Sequence, residues 1–264
     1  MKNRIDLKFE QLKQEGKKAF IPFITAGDPD LDTTIELVLE MEKQGADLVE
    51  LGVPFTDPMA EGPVIQAANL RALQHDVCID RLFEMVQKLR QSSQIPIVFL
   101  MYYNSLLHYG AEPFFAGCAK VGVDGIIVPD LPYEESDEIE EYTNKYNVYQ
   151  ISLVAPTSLE RMKGIIAKSK GFLYCVSSLG VTGMRDHINT DLNEFFHNIQ
   201  TYSTIPNCIG FGISTPELAA EVKQYCDGVI VGSAIVNRIA NGKTKEEKIT
   251  SVGEFVGNMC KAVK

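Results

Sequence analysis

Eight short runs rich in β-branched, aromatic and other apolar residues alternate with longer stretches of helical period along this chain. They are Phe20–Thr25, Leu48–Val53, Ile95–Tyr102, Gly125–Pro129, Tyr149–Val154, Phe172–Ser177, Cys208–Gly212 and Val229–Gly232. Between the first two, residues 33–43 place Ile35, Val38 and Met41 at helical spacing and stop at Gly45, a glycine termination signal. Tight helix-to-strand turns recur as Gly45-Ala-Asp47, Gly122-Val-Asp124 and Cys226-Asp227-Gly228, each just before a β run. Repeated βα units with apolar strands imply a parallel sheet covered by helices. Eight of them close most naturally into a (β/α)8 TIM barrel. An open doubly wound sheet needs only about five to seven strands and would have to absorb an extra one. With 264 residues, no low-complexity linker and no break in composition, residues 1–264 read as one barrel domain of the α/β class.

Composition narrows the partners. A net charge of −10 disfavours binding to nucleic acid, which rests on clustered Lys and Arg. No run of about 20 apolar residues could span a bilayer. The polar, amphipathic N-terminus, Met1 to Glu10, does not resemble a secretory signal, so a cytoplasmic location is expected. Six cysteines form no Cys-x-x-Cys pair and read as core thiols, and the four histidines form no metal-binding pattern, so no metal site is expected.

Glu50 is the residue that does not fit its surroundings. In the second β run, period-two alternation sets Leu48, Glu50 and Gly52 on one face and Val49 and Leu51 on the other, which puts a carboxylate among apolar neighbours. Burying such a group unpaired costs several kcal/mol or drives its pKa upward, so it is either paired out of sight or chemically active. The loop that follows carries Asp57 and Glu61 among Gly and Pro. In a barrel, chemistry gathers at the C-terminal ends of the strands. There the last third of the chain offers Gly180-Val-Thr-Gly183, Gly210-Phe-Gly-Ile-Ser214 and Gly232-Ser-Ala-Ile-Val236, after three consecutive β runs. One glycine loop is ordinary turn chemistry. Three side by side, the last opening a short helix, suit a small phosphate held by backbone N–H groups. Ser214-Thr-Pro-Glu217 reads as a capping box starting at Ser214. Tyr102 and Tyr174 fall near strand tops, where they line a planar substrate or simply end the core. Asp124 is expected to serve a turn below the barrel, and Asp130 to orient a loop above it.

The stretch Glu50 to Gln66 (ELGVPFTDPMAEGPVIQ), with Phe20 to Pro29 (FIPFITAGDP) and Gly180-Val-Thr-Gly183, resembles the tryptophan synthase alpha chain family, and the likeness extends over essentially the whole chain. The resemblance implies a metal- and cofactor-free retro-aldol cleavage of indole-3-glycerol phosphate to indole and glyceraldehyde 3-phosphate. It makes Glu50 the principal acid/base and puts Glu61 where the family has an Asp that accepts the indole N–H. Thr182 would help close the site, while Gly183, Gly212, Gly232 and Ser233 would hold the phosphate. Phe23, Tyr102, Ile127, Tyr174 and Phe211 would wall the indole. A tryptophan synthase beta chain, carrying pyridoxal phosphate, is implied as partner in an α2β2 assembly, docking on Pro54–Met59 and Tyr103–Gly110. Two departures stand out: Glu61 is one methylene longer than the family's Asp, and Ser177-Ser-Leu-Gly180 lacks the Arg that some members carry before that glycine. Three other readings remain open: a catalytically weak subunit that activates the beta chain, a stand-alone indole-releasing lyase, and a sugar-phosphate isomerase on the same scaffold.

Overall fold

The ring of strands is closed by a single segment that changes partners halfway. The computed structural model describes residues 2–156, 159–176, 190–210 and 212–264. Among these, the strands are β1 (Ala19–Thr25), β2 (Val49–Gly52), β3 (Ile97–Leu100), β4 (Gly125–Ile127), β5 (Tyr149–Gln150), β6 (Ser152–Val154), β7 (Leu173–Val176), β8 (Asn207–Gly210) and β9 (Gly228–Val231). All pairings are parallel, in the order β5-β4-β3-β2-β1-β9-β8-β7-β6. The two ends of that order are separated in the chain only by Ile151. Tyr149 and Gln150 pair with β4, Ile151 N–H donates to Ile126 O at 2.8 Å, and Ser152–Val154 pair with β7. The fifth β run is therefore one strand in two pieces, and the eight-unit barrel expected from the sequence is the fold.

Helices α1 (Arg4–Glu15), α2 (Leu31–Lys43), α3 (Pro63–Leu73), α4 (Ile79–Leu89), α5 (Tyr103–Tyr109), α6 (Ala111–Val121), α7 (Asp137–Tyr146), α8 (Leu159–Lys168), α9 (Thr190–Tyr202), α10 (Pro216–Val222), α11 (Ser233–Asn241) and α12 (Lys245–Val263) accompany the strands. Strand alternation sorts the core into two layers. Phe20, Ile24, Val49, Leu51, Phe99 and Ile126 face the helices. Ile21, Leu48, Val98, Ile127, Phe172 and Ile230 fill the barrel. Helix α1 adds Ile5, Phe9 and Leu12 to that interior, with Phe9 and Phe172 ring centroids 5.7 Å apart. Plugged at its N-terminal end, the barrel is left with its C-terminal mouth for chemistry. No helix among the described residues is long and apolar enough to cross a membrane.

The recurrent Asp of the helix-to-strand turns has a common task. Asp47 accepts from Phe20 N–H at 2.9 Å, Asp124 from Ile97 N–H at 2.9 Å, and Asp227 from Asn207 N–H at 3.1 Å. Each carboxylate thus binds the foot of the preceding strand, taking a backbone N–H that would otherwise be left without an acceptor. Asp124 serves the lower turn, as expected, and Asp130 orients a loop by accepting from Tyr103 N–H at 2.8 Å.

Two expectations need correction. The cap of α10 is Thr215, not Ser214: Thr215 Oγ1 accepts from Leu218 N–H at 3.3 Å, and Pro216 stands first in the helix. Proline's fixed φ suits that first position, so the cap is the residue immediately before it. Five cysteines are buried as core thiols, but Cys78 is exposed, where it precedes α4.

Candidate active site at the barrel mouth

Glu50 lies in the middle of β2, between Phe23 of β1 and Val98 of β3 in register, and is 2% exposed. Its Oε2 has no hydrogen-bond partner. Burial, reinforced by the charge of Glu61, pushes its carboxyl up to about 8. Glu61, half-buried in the loop between β2 and α3, also has a buried Oε2 without a partner. Burial raises it to about 7, with the Tyr102 hydroxyl acting in the opposite direction. Two carboxyl groups are thus held in one mouth, one inside the barrel and one on its rim, and both are poised near neutrality.

The walls are aromatic rings laid on glycines. Tyr174 of β7 is buried, and its hydroxyl is pushed well above its ordinary value by burial and then by the charge of Glu50, so the two share a space. A Cβ on Gly210 would stand 2.4 Å from Tyr174 Cε1 and 2.5 Å from its hydroxyl oxygen, so the ring lies flush on the β8 backbone. Gly210→Ala should therefore destabilise the fold by about 1–3 kcal/mol through overpacking, read as a lower urea midpoint at constant m. The Phe23 ring is bracketed in the same way: a Cβ on Gly52 would meet its Cζ at 2.8 Å, and one on Gly232 its Cδ1 at 3.1 Å. Phe23 also packs with Ile65 and Ala68 of α3 and Val236 of α11. Ile127 ends β4 inside the barrel, fully buried. Tyr102 stands at the top of β3, 3% exposed, where its hydroxyl accepts from Ala60 N–H at 2.8 Å.

Two strands round the ring from β2, across β1, Gly232 and Ser233 follow β9 directly and open α11, which has no side-chain cap. The first N–H groups of a helix have no intrahelical acceptor and carry its positive dipole end, an arrangement suited to an anion. Gly212 has φ +77°, in the left-handed region that favours glycine. Thr182, Gly183 and Phe211 lie outside the described residues.

Sequence reasoning missed three supports. Asn69, 3% exposed on the buried face of α3 with Ile65, Ala68 and Ala72, accepts from Phe55 N–H at 3.3 Å. A polar residue on an apolar helical face was the available signal. Phe55 stacks on Tyr102, with centroids 5.0 Å apart and planes at 21°. Arg71 of α3 makes a bidentate pair with buried Asp28 at 2.8 and 2.6 Å, tying the loop after β1 to the helix that follows Glu61. A separate cavity of about 270 Å³ lies beside β6, between α7 and α8, and includes neither carboxyl group. The cations on its wall are already engaged, Arg161 with Glu134, Lys168 with Asp137 and Lys170 with Asn144.

Residues 9–264 match the family model described as tryptophan synthase alpha chain. The chain belongs to the tryptophan synthase alpha chain family. It is 52% identical to the tryptophan synthase alpha chain of Caldanaerobacter subterraneus over 254 residues, covering 96% of this chain and 97% of that one. It is 49% identical to that of Clostridium kluyveri over 261 residues, 99% of each. Among solved structures, the tryptophan synthase alpha chain of Legionella pneumophila superposes with a TM-score of 0.91 at 38% identity, over 100% of this chain and 98% of that one. A chain of the tryptophan synthase α2β2 complex of Pyrococcus furiosus gives 0.85 at 34% identity, over 92% and 98%.

Proposed function

We propose that this chain is the lyase subunit that cleaves indole-3-glycerol phosphate into indole and glyceraldehyde 3-phosphate, with Glu50 as acid/base and Glu61 as the acceptor for the indole N–H. Protonated Glu50 delivers its proton to C3 of the indole, which leaves a positive charge delocalised toward the ring nitrogen and makes the ring an electron sink. The carboxylate so formed accepts the proton of the adjacent side-chain hydroxyl. The carbon–carbon bond then breaks, its electron pair returns to the ring, and the aldehyde forms. Ionised Glu61 hydrogen-bonds the N–H and stabilises the developing charge. Phe23, Tyr102, Ile127, Tyr174 and Phe211 wall the indole. Gly183, Gly212, Gly232 and Ser233 hold the phosphate, and Thr182 helps close and orient the site. The reaction needs no metal or organic cofactor on this chain.

The observation that carries the reading is the pair of buried carboxyl oxygens without partners, Glu50 Oε2 and Glu61 Oε2, in one aromatic-walled mouth. The active form carries a single proton, on Glu50. Below about 7 Glu61 takes up a second proton, and above about 8 Glu50 loses its own. The pair titrates jointly, so kcat/KM should trace a narrow bell between those limits. A turnover that rises steadily through pH 9 would contradict the assignment of Glu50 as an acid.

The partner in this reading is a tryptophan synthase beta chain carrying pyridoxal phosphate, met in the cytoplasm as an α2β2 assembly of the kind named for the Pyrococcus furiosus relative. Two apolar side chains suit docking: Met59, 87% exposed in the segment Pro54–Met59, and Leu107, 58% exposed on α5.

A further inference from the structure

The loop from Val53 to Gly62 has to hold a carboxylate in place without help from the strand ladder. Thr56, Asp57, Met59, Ala60 and Gly62 are exposed, and its far end is shaped by a turn, Glu61 N–H to Pro58 O at 3.3 Å, with Gln66 Nε2 donating to Glu61 O at 2.9 Å. Such a segment is conformationally free unless it is fixed to something rigid. Tyr102 supplies that fixture. It is 3% exposed and lies two residues beyond the end of β3, the strand beside β2. Its ring stacks on Phe55 at the start of the loop, and its hydroxyl accepts from Ala60 N–H at the end. Phe55 is in turn held through its N–H by Asn69 of α3.

Resting on the lyase reading above, we propose that Tyr102 is a positioning residue that clasps the β2–α3 loop at both ends and so fixes where the Glu61 carboxylate stands. Accepting from Ala60, the hydroxyl keeps its own proton to donate, and Glu61 is near enough for the two groups to shift each other's proton affinity. The clasp matters in this chain because Glu61 has one more rotatable bond than an aspartate. A longer arm on an unpinned backbone would sweep a volume around the indole nitrogen, whereas a pinned one has a short list of positions.

A double-mutant cycle on lyase turnover in the complex with beta chain tests this. Tyr102→Phe keeps the stacked ring and removes the hydroxyl. It should lower kcat by between about tenfold and about a hundredfold, the scale of a misplacement of about 1 Å, with KM within about twofold. In a Glu61→Gln background the same change should alter kcat by less than about twofold, because the group being positioned is already gone. Phe55→Leu keeps the hydroxyl and removes the stack. It should repeat the pattern with a smaller loss, and it carries the test if Tyr102→Phe does not fold by circular dichroism. Equal losses in both backgrounds, or a rise in KM at constant kcat, would overturn the clasp and leave Tyr102 as a wall residue only. A wild-type chain without lyase activity would instead remove the reading on which the clasp rests.

Discussion

Glu50→Gln is expected to lower indole-3-glycerol phosphate cleavage by about a thousandfold or more, within the range of about 10²–10⁴ that a positioned acid/base contributes and enlarged by its double use. Glutamine has nearly the same shape, so packing against Phe23 and Val98 is kept, and it still presents a donor to the cavity. What it lacks is a proton it can release and recover. Removing Glu50 also removes a group that is costly to charge in place: its carboxyl is raised to about 8 by burial and by Glu61. A raised carboxyl loses its stabilising difference from the unfolded chain as pH climbs from its ordinary range toward 8, so the variant should be at least as stable as wild type near pH 8. Steady-state release of glyceraldehyde 3-phosphate and the urea midpoint, measured on the same preparation, separate the two effects. More than about a tenth of wild-type turnover would end the assignment, since no acid/base step leaves so much behind. Glu50→Asp keeps the carboxyl group but withdraws it by one methylene, and should still lose about a hundredfold.

Glu50 could be found in the sequence because a strand's period of two leaves no choice of face. Once Leu48 and Gly52 point inward, so does the residue between them in that series, and a carboxylate there stands out. The same rule groups Phe172, Tyr174 and Val176 in the sixth run and Val98, Leu100 and Tyr102 in the third, and the barrel interior contains all of these except Tyr102, which lies beyond the end of β3. Features set by tertiary geometry were not legible. The partner exchange at Ile151 follows from the closing of the ring, while the local pattern from Tyr149 to Val154 is an unbroken strand pattern. The stacking of Phe55 on Tyr102 joins positions 47 apart, with α3, α4 and β3 between them, and no local period links the two. The Asp of the Gly-x-Asp turns was visible as turn chemistry, yet its reach back to the foot of the preceding strand is a contact between different βα units. Even the cap of α10 was missed by one residue, because the Ser-x-x-Glu spacing outweighed the stronger constraint of Pro216.

Asp124→Ala is expected to remove about 3–5 kcal/mol of stability, the scale of breaking a buried ion pair from one side. Asp124 is 4% exposed and accepts from Arg4 Nη1 at 2.8 Å, Arg90 Nη2 at 3.1 Å and Ile97 N–H at 2.9 Å. Arg90 is itself 9% exposed and otherwise donates to backbone oxygens, those of Ser93, Ile95 and Gly122. Burial pulls Arg90 down to about 10 and raises Asp124 above its ordinary value, in each case against the charged form. Desolvation therefore offsets much of the attraction, and the intact pair adds little net stability. The loss comes on breaking it: the guanidinium stays buried without its counter-charge, and the first N–H of β3 loses its acceptor. Asp47 provides the comparison, with the same backbone task at Phe20 but a cation, Lys264, that is 26% exposed and can turn to water. Asp47→Ala should lose only about 1–2 kcal/mol, close to one unsatisfied buried donor. Urea unfolding at constant m measures both. Because Asp124 precedes β4, at the N-terminal end of the strands and away from Glu50's mouth, the folded fraction of Asp124→Ala should keep wild-type kcat. Lost turnover at unchanged stability would put that carboxylate at the wrong end of the barrel.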